Sequence, residues 1–334
     1  MKISKREFLP SETLAVHAST IEWWEDHFVF AWFGGTREGY PDVSIYLYNL
    51  NNDGETIILG STDSEPRWNP ILFSHNNRLY LFEKIGTFCD RWQTIVHDIT
   101  NWTEDITQKE IRFKQQIIPA GLNGPVKTRP VVYNNMILCG SSVETLLDWT
   151  SYVEAYIINN NKWECVGRSN PINVEEKKQY KDKYSGATRV SQGIIQPSLW
   201  VDKDNNLKSF FRSSNGLEKV YYSQCKSNLF WEKAIPTNIP NPNSSVCCNY
   251  INNELYLVYN PSNISRYPLN VVKISQKNDG GEFEILKNDD ILTIADDETD
   301  LAGFSYPYSI VYENQIHLVY TFKRKKIEYC VIDL

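Results

Sequence analysis

Hydrophobic and polar positions alternate along this chain in short runs, and one two-part phrase recurs six times. Each copy has an apolar strand-like run, a polar turn of Asn, Asp or Glu, and a second apolar run. The six copies are VHASTIEWWEDHFVFAWFGG, RWNPILFSHNNRLYLFEKIG, KTRPVVYNNMILCGSSVE, IIQPSLWVDKDNNLKSFFRSS, SSVCCNYINNELYLVYNPS and FSYPYSIVYENQIHLVYTFKR. Asn and Asp tolerate the left-handed backbone conformation that tight hairpin turns require. The pattern therefore predicts six β-hairpins.

The copies begin near residues 17, 69, 129, 196, 247 and 306, and further strand-like runs follow each of them. This spacing suits one four-stranded blade with its connections, so we predict an all-β fold, a six-bladed β-propeller formed by residues 1–334 as a single domain. The sixth unit has only three strand-like runs, and KISKREFLP near the N-terminus is available to complete that blade and remove an exposed edge. The charged segment at about 168–190 interrupts the repeat. We interpret it as a solvated insertion, either a plain surface loop or a segment that overhangs one mouth.

The amino-acid composition supports β-strands and argues against several classes of partner. The chain has 20 Tyr, 14 Phe and 10 Trp but only 2 Met, and aromatic residues suit the pleated surface of a sheet. The net charge is −7 and the basic residues are dispersed, so we expect no nucleic-acid partner. No apolar run is long enough to span a bilayer, so we expect no membrane partner. None of the seven cysteines forms a CxxC pair, which argues against zinc.

Location and assembly follow from the same observations. We expect a cytoplasmic location, since no apolar segment follows the basic residues at the N-terminus. We also expect a monomer that needs no cofactor or metal. A secretion signal removed beforehand would leave the same sequence.

Aligned copies place polar side chains in two rings at one mouth of the channel. The first ring comes from the start of each first strand: His17, Asn69, Arg129, Gln196 and Tyr306, with Cys247 in the fifth place. The second ring comes from the end of the adjacent strand and contains Arg37, Glu38, Lys84, Glu144, Arg212, Asn260, Arg266, Lys323 and Arg324. Residues that only packed would look alike from copy to copy, whereas these differ. Convergent polar groups in a concavity indicate a binding site.

The arginines of these rings indicate what kind of ligand the site binds. Planar guanidinium groups match carboxylates and phosphates, and aromatic side chains suit the faces of sugar rings. We therefore expect an acidic oligosaccharide or polysaccharide as the partner. Taken alone, each member has a simpler interpretation: His17 as a structural histidine, and Arg37 as a residue that fixes a turn against Glu38 or Asp42.

The phrases HAST…AWFGGTREG, WNP…LYLFEKIG, GPVKTRP, IQPSLW…FFRSS, YNPSNISRYPLNVVKIS and FSYPYSIV…VYTFKR resemble sialidase-like proteins with BNR, or Asp-box, repeats. The resemblance covers nearly the whole chain. The Asp-box itself, Ser-x-Asp-x-Gly-x-Thr-Trp, is only partly preserved. Its remnants are HDITNWTE (97–104), IINNNKWE (157–164), QCKSNLFWE (224–232) and SQKNDGGEFE (275–284). The family implies a six-bladed propeller.

The resemblance also implies roles for residues. Sialidases bind the substrate carboxylate with three arginines and use a Tyr nucleophile activated by a Glu, with an Asp as acid/base. Arg212 and Arg266 match the second and third arginines, Tyr306 matches the nucleophile, and Asp42 is a candidate acid/base. The chain departs at two positions, since His17 replaces the first arginine and Gln196 replaces the glutamate. Gln cannot take the proton that makes a tyrosine nucleophilic, which puts the standard mechanism in doubt.

Three functions remain open at this point. The first is a sialidase-like enzyme that cleaves a glycosidic bond at an acidic sugar, with His17 and Tyr306 moving protons and Asp42, Glu38 or Glu144 as further candidate acids or bases. The second is a polysaccharide lyase that eliminates beside a uronate carboxylate. The third is a propeller that binds glycans or proteins without catalysis.

Overall fold

A computed structural model of the chain describes residues 1–50, 56–59, 65–102, 114–183, 185–277, 280–285, 287–297 and 303–334. Parts of the Asp-box remnants at 97–104 and 275–284 therefore lie outside the described residues. Strands dominate what is described, and its helical segments are two short 3₁₀ turns, Cys89–Arg91 and Asn288–Asp290. No helix among these residues is long and apolar enough to cross a membrane.

The strands form six antiparallel sheets arranged as the blades of a propeller, as the sequence predicted. The chain opens with strand β1 (Lys2–Phe8). Blade 1 contains β2 (Ala15–Trp24), β3 (His27–Gly35), β4 (Ser44–Asn49) and β5 (Thr56–Leu59). Blade 2 contains β6 (Arg67–His75), β7 (Arg78–Ile85), β8 (Gln93–Asp98) and β9 (Lys114–Ile117). Blade 3 contains β10 (Val131–Tyr133), β11 (Met136–Glu144), β12 (Trp149–Asn159) and β13 (Lys162–Arg168).

The second half of the chain continues the pattern after a small separate hairpin of β14 (Gln179–Lys181) and β15 (Thr188–Val190). Blade 4 contains β16 (Ile194–Val201), β17 (Leu207–Ser213), β18 (Lys219–Ser227), β19 (Phe230–Trp231) and β20 (Ile235–Pro240). Blade 5 contains β21 (Cys247–Ile251), β22 (Glu254–Tyr259), β23 (Leu269–Gln276), β24 (Phe283–Glu284) and β25 (Ile291–Ala295). Blade 6 contains β26 (Phe304–Tyr312), β27 (Gln315–Phe322) and β28 (Lys326–Asp333).

The N-terminal strand closes the ring. β1 pairs antiparallel with β28, from Lys2 opposite Asp333 to Phe8 opposite Glu328, and makes blade 6 four-stranded. The expected closure is therefore present. The first strands of blades 1 and 6 contact each other, as do those of blades 5 and 6, so they surround a central channel.

The hairpin turns have the backbone that their residues favour. The predicted turn residues with positive φ are Glu25, Asp26, Asn76, Asn77, Asn134, Asn135, Asn205, Asn252, Asn253, Glu313 and Asn314. Between the blades, apolar faces pack into buried clusters; one of them joins Trp32 of blade 1, Phe73 and Phe82 of blade 2, and Tyr156 and Trp163 of blade 3. The core thus lies between blades, which leaves the channel free for polar residues.

Four of the innermost strands contain an irregularity near their start. The pairing register shifts in β2, β6, β16 and β26, and at each shift one residue has a left-handed backbone: Ala18, Asn69, Gln196 or Tyr306. Such bulges bend a strand and re-aim side chains, and they are frequent beside active sites. Three of these four positions belong to the predicted first ring.

The charged insertion contains the exposed hairpin β14–β15. Lys177 donates to the Asp148 carboxylate at 2.6 Å, and Lys183 donates to the carbonyl of Ile264 at 3.2 Å. These partners lie in the loops after β11 and β22. The insertion is therefore anchored on the propeller face where second strands end.

Candidate functional site

The site lies where first strands begin and second strands end. Antiparallel pairing brings these ends together, as Ile195 opposite Arg212 and His17 opposite Phe33 show. We call this end of the channel the front mouth and the other end the back mouth. The two predicted rings therefore share one face of the propeller, and individual members depart from it as described below.

The Tyr306 hydroxyl is the centre of the front mouth. Its oxygen accepts hydrogen bonds from Nη1 of Arg212 at 2.8 Å and from Nε2 of Gln196 at 3.2 Å. Arg212 is itself fixed, because Nη1 also donates to Gln196 Oε1 at 3.2 Å and Nε donates to Asn243 Oδ1 at 2.8 Å. Both donors point at the phenol oxygen, so the phenol proton is directed elsewhere. Gln196, Arg212 and Tyr306 were predicted to share one mouth, and the structure brings them into contact.

His17 lies against this tyrosine. The two ring centroids are 4.0 Å apart, and Nδ1 of His17 is 2.8 Å from Oγ1 of Thr321. The other nitrogen, Nε2, is buried without a hydrogen-bond partner among the described residues. Burial, followed by the charges of Arg324, Arg266, Lys127 and Arg212, holds the pKa of His17 well below its ordinary value. The imidazole is therefore neutral near pH 7, and in the tautomer with Nδ1–H its free lone pair is at Nε2.

The cations around His17 also act on one another. Burial and then the charge of Arg212 lower the pKa of Arg266 to about 10, with a smaller contribution from Arg324. Arg266 Nη2 donates to the carbonyl of Asn243 at 2.8 Å, which fixes it beside Arg212. Arg266 still carries its charge at neutral pH. A concave mouth with several cations close together attracts an anion.

Lys127 is a site residue that the sequence analysis missed. Its Nζ is 5.5 Å from the centroid of the Tyr306 ring and 5.1 Å from that of Tyr308, and burial lowers the pKa of this amine to about 8. Lys127 lies seven residues before Asn134, the first residue of its hairpin turn, as Tyr306 lies seven before Glu313. Counting back from the turn would have identified Lys127. The predicted first ring contains Arg129 instead, which precedes a proline as Asn69, Gln196 and Tyr306 do.

Arg129 is not at the front mouth, and its predicted place there was wrong. Its Nε and Nη2 donate to the carboxylate of Glu22 at 2.8 and 3.2 Å, and its guanidinium lies 5.2 Å from the Phe73 ring centroid. Arg129 and Glu22 line a cavity of about 400 Å³ at the back mouth. The physical reason is that residues 127–130 precede β10, which begins only at Val131. Lys127 therefore takes the ring position and Arg129 lies further along the channel.

Lys84 also departs from the predicted ring. It is fully buried, and its Nζ donates to Oγ1 of Thr94 at 3.0 Å and to the carbonyl of Asn123. Burial lowers the pKa of Lys84 to about 7, with Glu154 the largest opposing charge. Thr94 lies in β8 of blade 2, and Asn123 lies in the connection from blade 2 to blade 3. Cys247, in the fifth place of the first ring, lines the back-mouth cavity.

The remaining predicted acids lie around the front mouth. Glu144, at the end of β11, has its pKa raised by burial and partly lowered again by the charge of Arg212. Asp42 accepts hydrogen bonds from the amide and hydroxyl of Thr36, both at 2.7 Å, and the hydroxyl contact above all lowers its pKa. Asp42 therefore fixes its own loop as a carboxylate. Arg37 and Glu38 line a cavity of about 210 Å³ together with His17.

The described residues contain no group of three or more His, Cys, Asp or Glu side chains placed to hold a metal ion. At the front mouth, a phenol and a neutral imidazole lie among several cations, with the carboxyl groups of Glu38, Asp42 and Glu144 around them.

Comparison with known proteins agrees with this fold. The family model described as the BNR repeat-like domain matches residues 26–318. A protein of unknown function from Dyadobacter fermentans is similar in structure, with a TM-score of 0.71 at 9% identity over 100% of this chain and 99% of that one. Trypanosoma rangeli sialidase in complex with the inhibitor DANA gives 0.62 at 11% identity over 96% of this chain and 55% of that one. NanB sialidase from Streptococcus pneumoniae gives 0.62 at 9% identity over 100% and 70%. No curated protein matches the sequence.

Proposed function

The chain belongs to the BNR repeat-like family and is a sialidase-like propeller, and from that premise we propose that it is an enzyme that cleaves a glycosidic bond at an acidic sugar, either sialic acid-like or a uronate. The observation that carries the proposal is the Tyr306 hydroxyl, held by Arg212 and Gln196 beside a neutral imidazole within a cluster of cations. Enzymes use such arrangements of perturbed titratable groups for catalysis.

The cations account for binding. Arg212 and Arg266 present guanidinium groups to one mouth, and no carboxylate is among their hydrogen-bond partners described above. A ligand carboxylate would supply the missing negative charge and accept paired hydrogen bonds from a guanidinium. Tyr40 and Phe88 lie exposed in front-face loops of blades 1 and 2, where they suit the apolar face of a sugar ring.

The phenol and the imidazole account for proton transfer. Neutral His17 can accept a proton at Nε2, and Tyr306 can donate its phenol proton to a leaving oxygen. In hydrolysis, His17 takes a proton from water, the water oxygen bonds to the anomeric carbon, and the departing oxygen receives the proton of Tyr306. Gln196 cannot act as the base, because an amide does not accept a proton near neutrality.

Elimination is the second candidate, because the same unpartnered Nε2 of His17 can equally accept a proton from carbon. A carboxylate neutralised by arginines makes the proton on the adjacent carbon more acidic. His17 would take that proton, the carbon–oxygen bond one position further would break, and Tyr306 would protonate the leaving oxygen. The product is an unsaturated uronate, which absorbs ultraviolet light.

One assay separates these functions. The protein is incubated with sialyl and uronate oligosaccharides while reducing ends and ultraviolet absorbance are followed. Reducing ends alone indicate hydrolysis, whereas both signals together indicate elimination. Tyr306→Phe and His17→Ala should each lower kcat by at least about 10²-fold, as the loss of a general acid or base does. Tyr250→Phe, at the back-mouth cavity, is the matched control and should retain full activity.

The outcome can contradict the proposal in two ways. If both front-mouth variants keep the activity, the site lies elsewhere. If the wild-type protein binds an acidic sugar without any turnover, the chain is a glycan-binding propeller.

A further inference from the structure

A second cavity lies beside His17 at the front mouth. Its volume is about 210 Å³, and its lining includes His17, Phe33, Arg37, Glu38 and Arg324. Arg324 comes from blade 6, whereas the others come from blade 1. The cavity is therefore formed across the seam where the propeller closes.

The backbone fixes Arg324 at that seam. It lies in the turn between β27 and β28, where Lys323 and Arg324 have left-handed φ values of 51° and 60°. Its carbonyl accepts a hydrogen bond from the amide of Val16 at 3.0 Å, one residue before His17. The guanidinium is thereby placed beside the start of β2.

Arg324 belongs electrostatically to the cation cluster. Of the four cations that lower the pKa of His17, Arg324 has the largest effect. It also lowers the pKa of Arg266. Its Nη1 donates to a carboxylate oxygen of Glu38. The Arg324 and Glu38 side chains are 31% and 41% exposed, so ligand and solvent can reach this ion pair.

Glu38 therefore occupies a place that suits the acidic group of a ligand. We propose that Arg324 binds the carboxylate of the acidic sugar, and that Glu38 is an internal competitor which the ligand displaces from Arg324. This inference rests on the proposed function. Exposed ion pairs contribute little to stability, so exchanging one carboxylate for another at Arg324 requires little free energy.

Three single variants and one double variant test the proposal. Calorimetric titration uses N-acetylneuraminate and galacturonate, each beside its uncharged methyl ester. Arg324→Ala should weaken binding of the free acids at least about tenfold and leave the esters unchanged. Glu38→Gln should strengthen binding of the acids about two- to fivefold, the range of an exposed ion pair. Lys325→Ala, in the same turn but exposed and outside the lining of the cavity, is the control and should bind as wild type does.

The double variant isolates the competition. Without Arg324, Glu38 has nothing to compete for, so Glu38→Gln/Arg324→Ala should bind the acids no better than Arg324→Ala. If the wild type binds an acid and Arg324→Ala binds it equally well, this inference is overturned while the proposed function stands. If the wild type binds neither acid but Glu38→Gln binds one, the competition is supported. If no variant binds either acid, both proposals fail.

Discussion

At the residue scale, the front mouth depends on which atom faces the Tyr306 hydroxyl. Gln196 presents Nε2, a hydrogen-bond donor, at 3.2 Å. Arg212 presents a second donor at 2.8 Å. The phenol oxygen therefore accepts twice, and its proton has no base in this pair. A carboxylate at position 196 would reverse one of these bonds and accept the phenol proton.

Gln196→Glu should consequently increase hydrolysis of an aryl sialoside. The new carboxylate is nearly isosteric with the amide, and Arg212 favours its charged form. We expect kcat/KM to rise at least about tenfold, the lower part of the range for general-base catalysis. The rate should also increase with pH as the introduced carboxyl group loses its proton. Steady-state kinetics across pH measure both effects.

Gln196→Asn is the matched control for this variant, since it keeps the amide and shortens the side chain. If Gln196→Glu folds and shows the same kcat/KM as the wild type, Tyr306 is not limited by the lack of a base.

The candidate site was predictable as far as residues follow the repeat. Gln196, Arg212 and Tyr306 share a register that the aligned hairpins reveal, and they are in contact. Lys127 was not predicted, because β10, the first strand of blade 3, begins only at Val131, and Arg129 was assigned to the ring. The contacts of Arg324 with blade 1 arise only on closure of the ring. Neither feature is encoded in the alternation of apolar and polar positions.

At the element scale, the bulges in the first strands set the direction of the site residues. Alternation predicts a strand, but a bulge inserts one residue and reverses the facing of those that follow. Ala18, Asn69, Gln196 and Tyr306 occupy the left-handed position of their bulges. Non-glycine residues there carry a conformational cost of order 1–3 kcal/mol, which the surrounding structure must supply.

Ala18 tests this cost because its side chain is only a methyl group. It is buried with φ of 52°. Ala18→Gly relieves the backbone but removes the methyl and frees the unfolded chain, so stability should change by less than about 1 kcal/mol. Ala18→Val places a β-branched residue in the left-handed region and should destabilise by at least about 2 kcal/mol. Urea unfolding measures both.

Ala31 in β3 is the control position. It is buried and its φ is not among the positive values, so Ala31→Gly should destabilise by about 1–2 kcal/mol. If Ala18→Gly and Ala31→Gly lose equal amounts of stability, the left-handed backbone at Ala18 carries no conformational cost.

At the scale of the whole molecule, closure joins the two ends of the chain and completes the site. β1 covers the edge of β28, and β28 follows the turn that carries Arg324. The need for closure was predictable, because the sixth repeat lacks a strand and KISKREFLP has strand character. The repeat predicted Arg324 at this mouth, but it did not predict the contact of Arg324 with blade 1, since that contact depends on the hydrogen bond from the Val16 amide to the Arg324 carbonyl.

Deleting residues 1–8 should therefore lower the stability of the fold and of the junction between blades 1 and 6. The loss of β1 leaves the N–H and C=O groups of β28 unpaired along an apolar edge that includes Val331 and Ile332, and such edges aggregate. We expect a Tm lower by several degrees and concentration-dependent association, measured by calorimetry and light scattering. A synthetic peptide of residues 2–10, added to the truncated protein, should restore the Tm by pairing with β28, whereas a scrambled peptide should not. If the truncated protein keeps the wild-type Tm and remains monomeric without the peptide, β1 is not needed for closure.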